Sequence, residues 1–180
     1  MVAEAAFIAQ LKEKSTREQA FRTLVSRYKE RLYWHIRRIV LDHDDTDDVL
    51  QNTFIKIYTH IDGFKGESAL FSWMYRIATN EALSFLKSKA RKYNLTDEAL
   101  QSQMVEQLTA DVYFEGDEIQ LKLQKAIATL PEKQRLVFNM KYFENMKYED
   151  ISEIIDTSVG ALKASYHHAV KKIEAYVTSL

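Results

Sequence analysis

A cluster of aromatics runs directly into a cluster of cations in FKGESALFSWMYRIATNEALSFLKSKARK, residues 64–92. Phe64, Phe71, Trp73 and Tyr75 come first, and Arg76, Lys87, Lys89, Arg91 and Lys92 follow. That pairing suits unstacked bases and their phosphates. Each base stacked on an aromatic side chain gains roughly 1–3 kcal/mol, and cations engage the backbone charge. Gly63 and Gly66 bracket a tight loop that leads into the helix. The same residues also read as an ordinary helix whose Phe71, Trp73, Ile77 and Leu83 fill a core, and the block taken alone favours that reading.

A second constellation lies near the end of the chain, YEDISEIIDTSVGALKASYHHAVKKIEAYV, residues 148–177. A short helix starting at Tyr148 carries Ile151, Ile154 and Ile155. Asp156-Thr157-Ser158 forms a break, with Ser158 suited to cap the next helix. Val159, Leu162, Tyr166, Ala169, Ile173 and Val177 then recur at helical spacing. The opposite face holds Lys163, Ala164, His167 and Lys171, with His168 and Lys172 near its edge. This is the layout of a helix-turn-helix. Gly160, Ala161 and Ala164 let the helix start approach a major groove, where Lys163 and His167 reach base edges or phosphates. An αα-hairpin without a ligand is the plainer alternative, and the capped start and single basic face favour DNA.

Other chemistries fit poorly. The acidic run DHDDTDD, residues 42–48, lacks the glycine and glutamate of a calcium loop, since Asp47 and Thr53 fall at those places. It reads instead as a helix cap by Asp44, Asp45 or Thr46. His167 and His168 are adjacent and point about 100° apart on a helix, so they do not converge on a metal. No glycine-rich phosphate loop or triad arrangement is present, so no enzyme, metal or cofactor is expected. The chain has no cysteine, which fits a reducing cytoplasm. MVAEAAFIAQLKEK at the N-terminus reads as neither a signal peptide nor a membrane anchor, and no membrane insertion is expected.

These residues must be positioned by helices. The 180 residues show no persistent alternating pattern, and an all-α fold is expected. Phe21, Leu24, Val25, Tyr28, Leu32, Ile36 and Ile39 mark one helical stripe. A helix over 46–61 follows, with Val49, Leu50, Phe54, Ile57 and Tyr58 on its apolar face. Asp47, Asp48, Gln51, Asn52 and Ile55 lie off that face, as solvent surface or a partner site. Ile119, Leu123, Ile127 and Leu130 mark a helix stopping at Pro131, and Leu136, Val137, Met140 and Phe143 mark another.

The net charge of −1 hides a partition. Residues 1–92 hold 16 Lys/Arg and 12 Asp/Glu, and residues 119–180 hold 9 and 7. Residues 93–118 hold no Lys/Arg and 7 Asp/Glu. Two small helical domains, 1–92 and 119–180, are therefore expected on either side of a flexible acidic linker, 93–118, with one short helix in it at most.

Taken in order, DDVLQNTFIKIY (47–58), FKGESALFSWMYRIATN (64–80) and LPEKQRLVFNMKYFENMKYEDISEIIDTSVGALKASYHHAVKKIE (130–174) resemble an extracytoplasmic-function-type sigma factor. The resemblance covers about residues 20–92 and 119–176. It implies that the helix at 47–58 docks through Asp47, Asp48, Gln51, Asn52 and Ile55 on the β′ clamp helices of bacterial core RNA polymerase. It implies that Phe64, Lys65, Arg76, Asn80, Lys87, Lys89, Arg91 and Lys92 hold a flipped base and the phosphates of the −10 promoter element. Tyr148, Ser158, Gly160, Lys163, Ala164, His167, His168 and Lys171 would then read the −35 element, with the β flap as a further polymerase contact and an anti-sigma factor as a possible partner. The family usually carries Glu at the position of Asn52, whose neutral amide removes one charged contact from the core-docking face. It often carries arginines at those of Ser165, His168 and Val170, so a weaker −35 grip or a different base preference is expected. A stand-alone helix-turn-helix regulator is the alternative function.

Overall fold

The computed structural model describes residues 2–110 and 118–179, and these form helices and turns with no strand among them. The chain divides into two compact units, Met1–Leu83 and Ser84–Leu180.

The first unit holds α1 (Val2–Lys12), α2 (Arg17–Val40), α3 (His43–His60), a 3-10 turn at Ile61–Gly63 and the first part of α4 (Leu70–Lys92). α2 buries Leu24, Leu32, Ile36 and Ile39, the stripe expected from spacing, with Phe21, Val25 and Tyr28 half-buried. It ends at Leu41, whose left-handed backbone (φ 67°) lets its amide donate to the Arg37 carbonyl. α3 is capped by Asp42, whose carboxylate accepts the Asp45 amide at 2.9 Å. The cap thus falls earlier than Asp44, Asp45 or Thr46. Thr46 is instead buried, its hydroxyl donating to the Asp42 carbonyl.

α4 corrects the expected packing face. Leu70, Met74, Tyr75, Ala78, Ala82 and Leu86 are buried, together with Ser72 and Thr79. Phe71, Trp73, Ile77 and Leu83 are only half-buried. Ala78, Ala82, Ser72 and Thr79 let the neighbouring helices approach, and Phe71 and Trp73 sit at the margin while Tyr75 is the ring taken inside. Thr79 is tied in twice. Its hydroxyl donates to the Tyr75 carbonyl at 2.8 Å and accepts from buried His35 Nε2 at 2.8 Å.

The second unit contains the end of α4, α5 (Asp97–Ala110), α6 (Glu118–Ala128), α7 (Glu132–Tyr142), α8 (Tyr148–Ile155) and α9 (Val159–Thr178). Ala126, Ile127, Leu130, Phe138, Ala169 and Ile173 form its core, edged by Leu123, Phe143, Tyr166 and Val170. Phe138 stacks on Tyr166 with centroids 5.7 Å apart, joining α7 to α9. Ile119, expected on the packing stripe, is 84% exposed. Pro131 ends the preceding turn and starts α7.

The stretch expected as a linker carries a 14-residue helix, α5, packed against α6. Met104 and Leu108 are buried, and Gln101 Nε2 donates to the Leu130 carbonyl at 3.4 Å. Beneath α5 lies buried Arg135, whose Nη1 reaches Met104 Sδ at 4.0 Å and the Ala128 carbonyl at 3.4 Å. Burial lowers the Arg135 pKa from its ordinary value, opposed by the nearby Glu132 carboxylate. Residues 111–117 of the expected linker lie outside the described residues. The division between units falls within α4, before the boundary expected at residue 92.

Candidate polymerase and nucleic-acid interface

α3 presents its outer face as the pattern implied. Asp47, Asp48, Gln51, Asn52 and Ile55 are all exposed, whereas Val49, Leu50, Thr53 and Ile57 are buried. Ile55 is 53% exposed, and it borders a groove of about 350 Å³ between α2 and α3. Phe21, Val25, Phe54 and Tyr58 line that groove, with Gln51 and Thr59 at its margin. Phe21 meets Tyr58 edge-on at 4.9 Å and Phe54 at 6.3 Å. The face is therefore acidic and amide-bearing along one side and apolar along the other. Spacing assigned Phe21, Phe54 and Tyr58 to the core, because a stripe does not show that its outermost members stay open.

At the start of α4 the structure separates residues that the sequence grouped. Phe64, expected to meet a base, is 4% exposed and packs on Trp73 at 5.1 Å. A ring at this place gains more from burial than a surface position offers. Lys65, Arg76 and Asn80 are exposed. Arg76 and Asn80 stand one turn apart and so share a side of the helix. Gly66 takes φ +76°, a conformation that L side chains rarely adopt, and this turns the loop toward α4. Arg31, from α2, lies over Phe71 at 5.0 Å and Tyr75 at 6.0 Å, a cation that reading along one helix does not reveal. Lys87, Arg91 and Lys92 are exposed and Lys89 is half-buried, its ammonium 6.0 Å from the Phe85 ring. These last cations belong to the second unit, whereas Lys65, Arg76 and Asn80 belong to the first.

The helix-turn-helix follows the expected outline. α8 starts at Tyr148, and Asp156 closes it in the left-handed region at φ 50°. Ser158 Oγ then accepts the Ala161 amide at 3.4 Å. α9 buries Leu162, Ala169 and Ile173 and leaves Gly160, Ala161, Lys163, Ala164, His167, His168 and Lys171 exposed, as is Ser158 itself. Nothing lies within 4 Å of the position a Cβ on Gly160 would take, so the start of α9 is open. Tyr148 is half-buried and stands between two ammonium groups, Lys141 at 5.1 Å and Lys163 at 5.8 Å from its ring. Burial, and then neighbouring Tyr166, raise the Tyr148 pKa above its ordinary value, so the phenol stays neutral at physiological pH.

Together these features define an all-helical protein of the helix-turn-helix class, with a second helical unit bearing an exposed polar face. Family comparison resolves the class further. The Sigma-70 region 2 family matches residues 24–92, and Sigma-70, region 4 matches residues 120–173. The ECF RNA polymerase sigma-E factor of Haemophilus influenzae is 33% identical over 171 residues, covering 91% of this chain and 90% of that protein. The RNA polymerase sigma-H factor of Pseudomonas aeruginosa is 31% identical over 175 residues, covering 87% and 86%. Among solved structures, the sigma factor RpoE of Bartonella quintana, in complex with the anti-sigma factor NepR, shares the fold at a TM-score of 0.68. That match has 20% identity and covers 88% of this chain and 97% of that one. The chain belongs to the extracytoplasmic-function RNA polymerase sigma factors of the sigma-70 family.

Proposed function

We propose that the two units divide a promoter between them while both are held by core RNA polymerase. The exposed α3 face of Asp47, Asp48, Gln51, Asn52 and Ile55 docks on the β′ clamp helices, and the adjoining groove of Phe21 and Tyr58 extends that contact. Lys65, Arg76 and Asn80 meet the non-template strand of the −10 element. Phe64 supports the loop from beneath, and Lys87, Lys89, Arg91 and Lys92 engage phosphates. The start of α9, with Tyr148, Ser158, Gly160, Lys163, Ala164, His167, His168 and Lys171, enters the major groove of the −35 element, and the β flap holds this second unit.

The observation that carries this reading is the segregation of α9. Its buried residues are apolar, and its exposed N-terminal face combines small residues with Lys163 and His167. Small residues permit close approach and donors supply base contacts.

The energetics support a division of labour. Opening a duplex costs stacking, about 1.4 kcal/mol per step. Capturing extruded bases offsets that cost only for bases that fit, so recognition and melting become one event. With a net charge of −1 the free chain binds DNA weakly, and polymerase supplies the remaining affinity. The chain acts by binding in the cytoplasm, and RNA synthesis is chemistry of the core enzyme. An anti-sigma protein is the further partner this reading admits.

Run-off transcription with core polymerase on fragmented genomic DNA tests it. New start sites with shared −10 and −35 sequences are expected. Sequence-specific operator binding without any effect on core would instead favour a stand-alone regulator.

A further inference from the structure

The loop entering α4 is held by an element outside the matched region 2 span of residues 24–92. That element is α1, together with the first residue of α2. Leu11, 1% exposed, anchors α1 in the core of the unit. Glu4 Oε1 accepts the backbone amide of Leu70, the first residue of α4, at 3.0 Å. Lys12 Nζ donates to the Phe64 carbonyl at 2.6 Å. Arg17 donates from Nε to the Leu11 carbonyl at 3.0 Å and from Nη2 to the Lys12 carbonyl at 2.8 Å, and it pairs with Asp62. The segment 62–70 is thus tied at Asp62, at Phe64 and at Leu70.

Each tie has a clear physical basis. The first amides of a helix lack intrahelical acceptors, and a carboxylate there also meets the positive end of the helix dipole. Lys12 holds a backbone carbonyl, which its ammonium polarises at close range. Arg17 closes the C-terminal end of α1 and carries that constraint to Asp62. Between the ties, Lys65, Gly66, Glu67 and Ala69 are exposed. An exposed loop held at three points loses less freedom when a ligand orders it, and affinity rises accordingly.

We propose that α1 and Arg17 form a brace that preorganises the 62–70 loop for capture of the −10 strand, with Glu4, Lys12 and Arg17 as positioning residues. The proposal rests on the reading of this loop as the −10 site.

The test uses the full chain with core polymerase on a promoter recovered by run-off transcription. Permanganate reactivity of the −10 thymines reports opening, on the native promoter and on one with a substituted −10 base. Lys12→Met and Glu4→Met are the test variants, Lys12→Arg is the rescue variant, and Asn80→Ala is the control for the loop assignment. Loss of one charged contact corresponds to an expected fall in opening of about tenfold for Lys12→Met. The ratio between native and substituted promoters should narrow, Lys12→Arg should restore it, and core affinity should be unchanged. Glu4→Met keeps the side-chain length but removes the acceptor of the Leu70 amide, and it should show the same narrowing if Lys12→Met fails to fold. An unaltered ratio in folded variants, alongside impaired opening in Asn80→Ala, overturns the brace and leaves the loop assignment standing. Unimpaired opening in Asn80→Ala as well overturns both.

Discussion

Replacing Met104 and Leu108 by alanine should release α5 from the second unit. Both side chains are buried, at 2% and 1% exposure. Truncating a buried Leu or Met to Ala typically costs about 2–5 kcal/mol when the surrounding structure stays in place. Here the cost has a ceiling. A helix of 14 residues is marginal alone in water, so once its anchors weaken, α5 detaches and no cavity remains. The loss therefore cannot exceed the docking free energy of α5. We expect about 2 kcal/mol for Leu108→Ala, close to the burial contribution of one such side chain. That corresponds to roughly 30-fold faster exchange of the α5 amides if they open by undocking. Hydrogen exchange with mass spectrometry over residues 97–110 reads this directly. Amides on α7 and α9 should stay protected, because the core of Ile127, Leu130, Phe138 and Ile173 is untouched. Gln101→Ala, which removes only a 3.4 Å hydrogen bond, should change exchange far less. Coil-like exchange across 97–110 in the wild-type chain, or no change in Leu108→Ala, would refute the reasoning.

Three further outcomes are expected. Asn80→Ala should impair promoter opening more than core binding, by about 1–3 kcal/mol if its amide contacts a base edge; permanganate footprinting and core titration separate the two effects. Asp48→Ala or Gln51→Ala should weaken core binding without lowering the melting temperature, because both side chains are exposed; unchanged core affinity would make this face plain solvent surface. Lys163→Ala should reduce the salt slope of −35 duplex binding by about 1 if Lys163 contacts a phosphate, whereas an unchanged slope with altered base preference would place it on a base edge.

The parts of the fold legible in the sequence are those whose apolar stripes are wide. α2 buries Leu24, Leu32, Ile36 and Ile39 and α9 buries Leu162, Ala169 and Ile173 from their expected stripes, although Val177 at the far end of the second stripe is exposed. Ser158 caps α9 while neighbouring Thr157 turns its hydroxyl to the Ile155 carbonyl. At α3 several consecutive residues could cap, and the chain uses Asp42, the first acid of the run. In α4 the large rings drew attention, yet close helix packing favoured Ala78, Ala82, Ser72 and Thr79 inside. α5 rests on Leu100, Met104 and Leu108, a stripe one residue wide that gives little periodic signal. Of the candidate site, the outer faces of α3 and α9 were visible locally. Phe64 was not, because its burial depends on Trp73. Nor was the brace, whose ties join residues 52 and 66 positions apart.

The most direct measurement is transcription by reconstituted polymerase. Core enzyme alone and core with the purified chain are compared on fragmented genomic DNA, with start sites mapped by sequencing of run-off products. The account predicts a stable complex with core and a discrete set of new start sites sharing spaced −10 and −35 sequences. A chain that neither binds core nor changes its start sites would contradict it.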